Sequence, residues 1–228
     1  MAITRDELED LVKQGLVSDI FKMERAYYLF MAIGEHASTV NDRPSGNFGE
    51  LFGTFQEALQ TEAVLAAARL YDKPSSKYPT RCILGVLNFL EKNHDQLPPI
   101  REIYNLELAL RDLDFSNDDI GLASTTEPAF ALALVNHFRA IVNDPKTLSV
   151  VGALKTIRDK TIAHNERASG ISGPTWGGLR KLIDDAKSIV GVLGWAYFST
   201  VYVHNGEYIL TSDAQGPSRA LGRLVSRL

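Results

Sequence analysis

The 228-residue chain is 45% hydrophobic and 23% charged, values that suit an ordinary globular core and exclude wholesale disorder. A formal net charge of −4 excludes a protein that grips nucleic acid with its whole surface, so any such role falls to a local patch. The single cysteine, Cys82, excludes an internal disulfide framework and a Cys-based zinc site, and fits a reducing compartment such as the cytoplasm.

In chain order, Thr4-Arg5-Asp6-Glu7 reads as a capping box opening a helix. Leu8, Leu11, Val12, Leu16 and Ile20 then recur at helical spacing, which predicts a helix to about His36 with a flaw at Gly15. Asn41 to Gly46 is a breaker. A second long helix runs from Phe48 to Tyr71 and stops before Pro74-Ser75-Ser76. A third covers roughly Thr80 to Asn93, with Ile83, Leu84, Leu87 and Leu90 inward, and Pro98-Pro99 closes it. Ile103 to Leu113 keeps helical spacing, whereas Asp112, Asp114, Asp118 and Asp119 predict an exposed acidic connection. Glu127 to Val142 is helical, with Pro128 tolerated in the first turn.

Past the breaker Asn143-Asp144-Pro145, a helix is expected from Lys146 to about Arg167. Ser169 to Pro174 is a loop, and the last long helix spans Thr175 to about Tyr197. Residues 200–203 and 208–211 are rich in β-formers and flank Asn205-Gly206, a hairpin signal. A short helix after Gly216-Pro217 ends the chain. The pattern predicts a single, mostly α-helical domain over residues 1–228, in which 200–228 form a small C-terminal β-hairpin and a short helix.

Met1 to Asp10 is polar and acidic, which predicts no secretory leader. The uncharged stretch Ser188 to Val203 is 16 residues long, short of the roughly 20 that span a bilayer, so no membrane partner is expected. His36, His94, His137 and His204 lack ligand spacing, and no phosphate-cradling glycine loop is present, so neither a metal nor a cofactor is expected.

Positive charge gathers in one place. Between Lys146 and Lys187 lie eight basic residues, Lys155, Arg158, Lys160 and Arg167 among them, against four acidic ones. Within it, Leu148, Val151, Leu154 and Ile157 form an apolar stripe that continues into Thr161 and His164. Ideal α geometry sets Arg158 and His164 about 9 Å apart along the axis and about 120° around it, on a slanted row with Thr161. A second helix packed antiparallel about a two-fold axis would bring both pairs into one groove.

These residue types suit RNA cleavage without a metal. A histidine exchanges protons near neutral pH, with a ribose 2′-hydroxyl or a leaving oxygen. An arginine offers a planar fork of donors to phosphate oxygens and to the charge that builds on them. Asp159 would orient either one, and Lys160 and Asn165 would add phosphate contacts. A plainer reading stands beside it: two solvated helix faces, Arg158–Asp159 as surface charge, and His164 satisfying the last carbonyls of its helix.

The string Ile157-Arg158-Asp159-Lys160-Thr161-Ile162-Ala163-His164-Asn165 resembles the R-x(4–6)-H motif of the HEPN superfamily, in the "RDK..AH" form of its abortive-infection-associated, AbiU-like branch. Ala66 to Asp72 resembles a helix end of that branch, and the resemblance extends over about Asp6 to Tyr197. It implies an all-α, HEPN-like helical bundle that forms a homodimer along its motif helices. It also implies a composite site of Arg158 and His164 from each subunit, with Asp159 at the polar position beside the arginine. The activity implied is metal-independent endoribonuclease cleavage by a toxin or phage-defence effector, with RNA and an antitoxin protein as partners. Some members of the superfamily are switched off by modification of a Tyr two residues after the histidine; Glu166 stands there, so that switch is not expected. A non-catalytic dimeric helical module binding RNA or a protein is the alternative.

Overall fold

Helix follows helix along nearly the whole chain in a computed structural model, which describes residues 2–41, 48–75, 77, 80–163, 172–204, 207–209 and 213–227. Helix α1 (Ala2–Glu9) passes without a break in backbone conformation into a π-helical stretch, Asp10–Val17, and on into α2 (Ser18–Glu35). The expected flaw at Gly15 lies inside that widened stretch. Thr4, read as a cap, is already inside α1. A short α3 (Ala37–Asn41) precedes α4 (Gly49–Leu70).

Helix α4 returns along α2, and ordered cross-links mark the pairing. Gln56 donates to the Phe30 carbonyl, Arg25 pairs with Glu62 at 2.7 Å, and Arg69 forks onto Asp19. Next come α5 (Ile83–Lys92), α6 (Ile103–Arg111) and α7 (Asn117–Thr125). Part of the acidic stretch expected to be a connection is therefore helical. Ser116 caps α7 by accepting from the Asp119 N–H, and Ile120 and Ala123 are buried. Asp118 and Asp119 sit in its first turn, where carboxylates favour the helix dipole.

Helix α8 (Glu127–Val142) leads to α9 (Pro145–Ile157), whose cap is Asp144: its carboxylate accepts from the N–H groups of Lys146 and Thr147. The winding then opens into a second π-helical stretch, Arg158–Ala163. The α-helix expected to run on to Arg167 therefore ends at Ile157, and residues 164–171 lie outside the described part. Helix α10 (Trp176–Leu193), capped by Thr175, carries the deepest apolar face and continues as a third π-helical stretch, Gly194–Phe198.

Of the hairpin expected near the C-terminus, the described residues show a two-residue antiparallel ladder, Val203–His204 with Glu207–Tyr208, while the expected turn Asn205-Gly206 and the strand residues Leu210 and Thr211 lie outside the described residues. That ladder is a turn-sized element, and the fold is all-α. Tyr202 is 1% exposed and belongs to the core. Helix α11 (Gly216–Val225) packs on α2. The main apolar cluster reaches from Leu8 to Tyr202 and includes the fully buried Leu182, Ile183, Ile189 and Val190 of α10, while a smaller one gathers Ile33, Val40, Phe52 and Val225. No described helix is long and apolar enough to cross a membrane.

Candidate functional site

The motif helix is shallowly seated. Of α9, only Thr147 and Leu154 are buried. Leu148, expected inward, is 50% exposed, and Val151 and Ile157 are half-buried, so the expected stripe narrows to one deep residue. Leu148, Ser149, Gly152, Lys155 and Thr156 form an open face. The slanted row drawn from α geometry also changes, because π winding closes i→i+5 hydrogen bonds and alters the rotation per residue.

Arg158 stands at the head of the π-helical stretch with its side chain 26% exposed. Its Nε donates to Asp159 Oδ1 at 2.7 Å, and its Nη1 lies 3.6 Å from Asp72 Oδ2. The bond to Asp159, and the field of Asp159 and Asp72 against a smaller cost of burial, hold the guanidinium above its ordinary value, so it stays charged. Asp159 thus meets the arginine. Lys155 and Lys160 are exposed beside it. Thr161 lies within the π-helical backbone. His164, Asn165 and Arg167 fall outside the described residues.

A crevice of about 60 Å³ opens at Arg158 between α9 and the end of α4, lined among others by Ala68, Tyr71, Asp72, Lys73 and Lys155. Tyr71 fixes that end: its buried hydroxyl donates to the Leu182 carbonyl of α10 at 2.8 Å. Burial, reinforced by Asp185 and Asp184, pushes that phenol far above its ordinary value, so it remains a donor. On the far side, Gly173 of the loop before α10 abuts the Ile157 side chain, so the chain returning from the motif is pressed against its base.

Asp72 is the site residue that spacing alone does not reveal. It was legible only as the last residue of the Ala66–Asp72 run, without a role. Among the described residues no group of three or more His, Cys, Asp or Glu side chains could hold a metal ion. What the arrangement offers instead is a permanently charged guanidinium, aimed by one carboxylate and balanced by a second across a small crevice.

The HEPN_AbiU2 family model (AbiU2) matches residues 5–215. No curated protein and no solved structure matches the chain. With Arg158–Ala163 on a helix of an all-α fold and a match over most of its length, the chain belongs to the AbiU2 family of HEPN-type abortive-infection proteins.

Proposed function

We propose that the protein is a metal-independent endoribonuclease of the HEPN type, a toxin or phage-defence effector acting in the cytoplasm as one domain over residues 1–228. Arg158 and His164 of two subunits would form its composite cleavage site. The observation that carries this reading is Arg158 itself, charged, oriented by Asp159 and set at the edge of a helix face that the monomer leaves open. A second copy laid on Leu148, Ser149, Gly152 and Thr156 would bring the two motifs together.

In the proposed chemistry His164 accepts the proton of a ribose 2′-hydroxyl. The 2′-oxygen attacks the adjacent phosphorus, and the bond to the 5′-oxygen breaks. A 2′,3′-cyclic phosphate and a 5′-hydroxyl result, the leaving oxygen taking a proton from the partner histidine or from water. Arg158 stabilises the additional charge on the phosphorane oxygens. Lys155, Lys160, Thr161, Asn165 and Arg167 would hold the strand. A protein antitoxin is the partner class that would restrain such an activity.

The test is incubation with mixed cellular RNA in EDTA, beside Arg158→Ala and His164→Ala. Each variant is expected to lose about 10²–10⁴-fold in rate with its helical content intact. Cleavage at the parent rate by both variants would end this reading. A second reading, a dimeric module that binds RNA or a protein without cutting it, draws on the two carboxylates that already balance Arg158. It predicts binding with no fragments.

A further inference from the structure

Next to the Arg158 crevice lies a larger pocket of about 300 Å³, lined by Lys22 of α2, Arg69 and Asp72 at the end of α4, and Arg81 before α5, with Gln14, Gly15, Asp19 and Thr80 completing it. Both guanidiniums are held in place from one edge. Arg69 directs Nε and Nη2 to Asp19 at 2.7–3.0 Å, and Arg81 directs Nε and Nη2 to Asp10 at 2.8 and 3.0 Å. Each fork therefore keeps its Nη1 group for another acceptor. The heads are accessible, with Arg69, Arg81 and Lys22 side chains 49%, 52% and 43% exposed.

Close approach of α1's π-helical extension makes this possible. A Cβ on Gly15 would collide with the Cβ of Arg81, so only glycine lets that arginine lie against the stretch. Asp72 lines both cavities. On one side its carboxylate faces Arg158; on the other it follows Arg69, whose carbonyl accepts the Asp72 N–H. Cation, carboxylate and cations thus alternate across the two cavities.

We propose that this alternation reads one phosphate–ribose–phosphate step of single-stranded RNA. The Lys22–Arg69–Arg81 pocket takes a backbone phosphate one step from the phosphate at Arg158, and Asp72 accepts a hydrogen bond from the intervening ribose 2′-hydroxyl. The chemistry is specific in two ways. Oriented guanidinium forks match phosphate oxygens. A carboxylate between two anion sites disfavours a third phosphate and favours a hydroxyl donor, the group that separates RNA from DNA. The inference rests on the nuclease reading for the phosphate at Arg158, yet it concerns binding and is tested without cleavage.

The experiment uses the full chain with His164→Ala, titrated with a labelled ten-nucleotide single-stranded RNA and its deoxy counterpart across a range of salt. Lys22→Gln and Arg81→Gln are each expected to weaken RNA binding about three- to tenfold and to flatten the slope of log K against log salt by about 0.7, the loss of one single-strand phosphate contact. Lys22→Gln keeps both guanidinium forks, so it reports on the pocket even if Arg81→Gln disturbs the fold. Asp72→Ala is expected to bring the RNA-to-DNA affinity ratio close to one, even where freeing Arg158 raises both affinities. Unchanged slopes in both pocket variants, or no RNA binding at all, overturn the phosphate position. An unchanged ratio overturns the ribose position. A parent chain that cuts no RNA while these slopes and ratios move as stated would sink the nuclease reading and leave the subsite standing.

Discussion

Helices α9 and α10 are neighbours of similar apparent character that the fold treats in opposite ways. In α10 the apolar positions Leu179, Leu182, Ile183, Ala186, Ile189, Val190, Val192 and Leu193 are all buried, and even Lys187 is drawn in, 3% exposed and paired with the fully buried Glu24 at 2.8 Å. In α9 burial stops at Thr147 and Leu154, while Leu148 and the small residues Ser149 and Gly152 stay open. One helix is consumed by the core; the other rests on it and retains a free face. A helix of the second kind is the one expected to carry chemistry, because its side chains can meet a substrate or a second copy without dismantling the interior.

Substitutions along the two helices should separate sharply. The largest effect is expected from Lys187→Met, which leaves the Glu24 carboxylate buried without its cation and should cost about 3–5 kcal/mol in urea unfolding. Adding Glu24→Leu should restore most of that loss; failure to do so would mean the pair does more than neutralise itself. Leu182→Ala, at a position with no exposure, should cost about 2–5 kcal/mol, whereas Leu148→Ala should stay within about 0.5 kcal/mol. Equal losses at the two leucines would erase the contrast between the buried and the open helix. The smallest change has the opposite sign. A Cβ at Gly152 meets nothing within 4 Å, so Gly152→Ala should stabilise the monomer by about 0.5–1 kcal/mol through helix propensity. If the motif helices pack on one another through that face, the same variant should weaken self-association in analytical ultracentrifugation.

Apolar periodicity and breakers located most helices to within a few residues, since Pro, Gly and Asn clusters interrupt winding wherever they fall. Periodicity gave a correct inward face for α10 because tertiary burial follows a wide stripe. It misdirected Leu148, because a stripe states where apolar groups lie and not whether anything covers them. It also turned the acidic stretch before Thr126 into a connection, although Ser116 supplies a cap and Ile120 and Ala123 an anchor for α7. Of the three described π-helical stretches only the first left a trace, the flaw expected at Gly15, since widening by one residue leaves composition untouched. At the site, Arg158 and Asp159 were legible as adjacent residues of a motif. Asp72 was not, because its meeting with Arg158 is made by the crossing of α4 and α9 and by nothing local.

The Tyr71 hydroxyl bond to Leu182 has a kinetic consequence. It ties the end of α4, one residue before Asp72, to the backbone of the most deeply buried helix. The Asp72 carboxylate therefore leaves Arg158 by rotating about its own side-chain bonds, on the picosecond-to-nanosecond scale of exposed rotamers, and not by a helix displacement that takes microseconds or longer. On that side, uncovering the arginine is therefore a side-chain event, far faster than any rearrangement of the helices that carry the two residues.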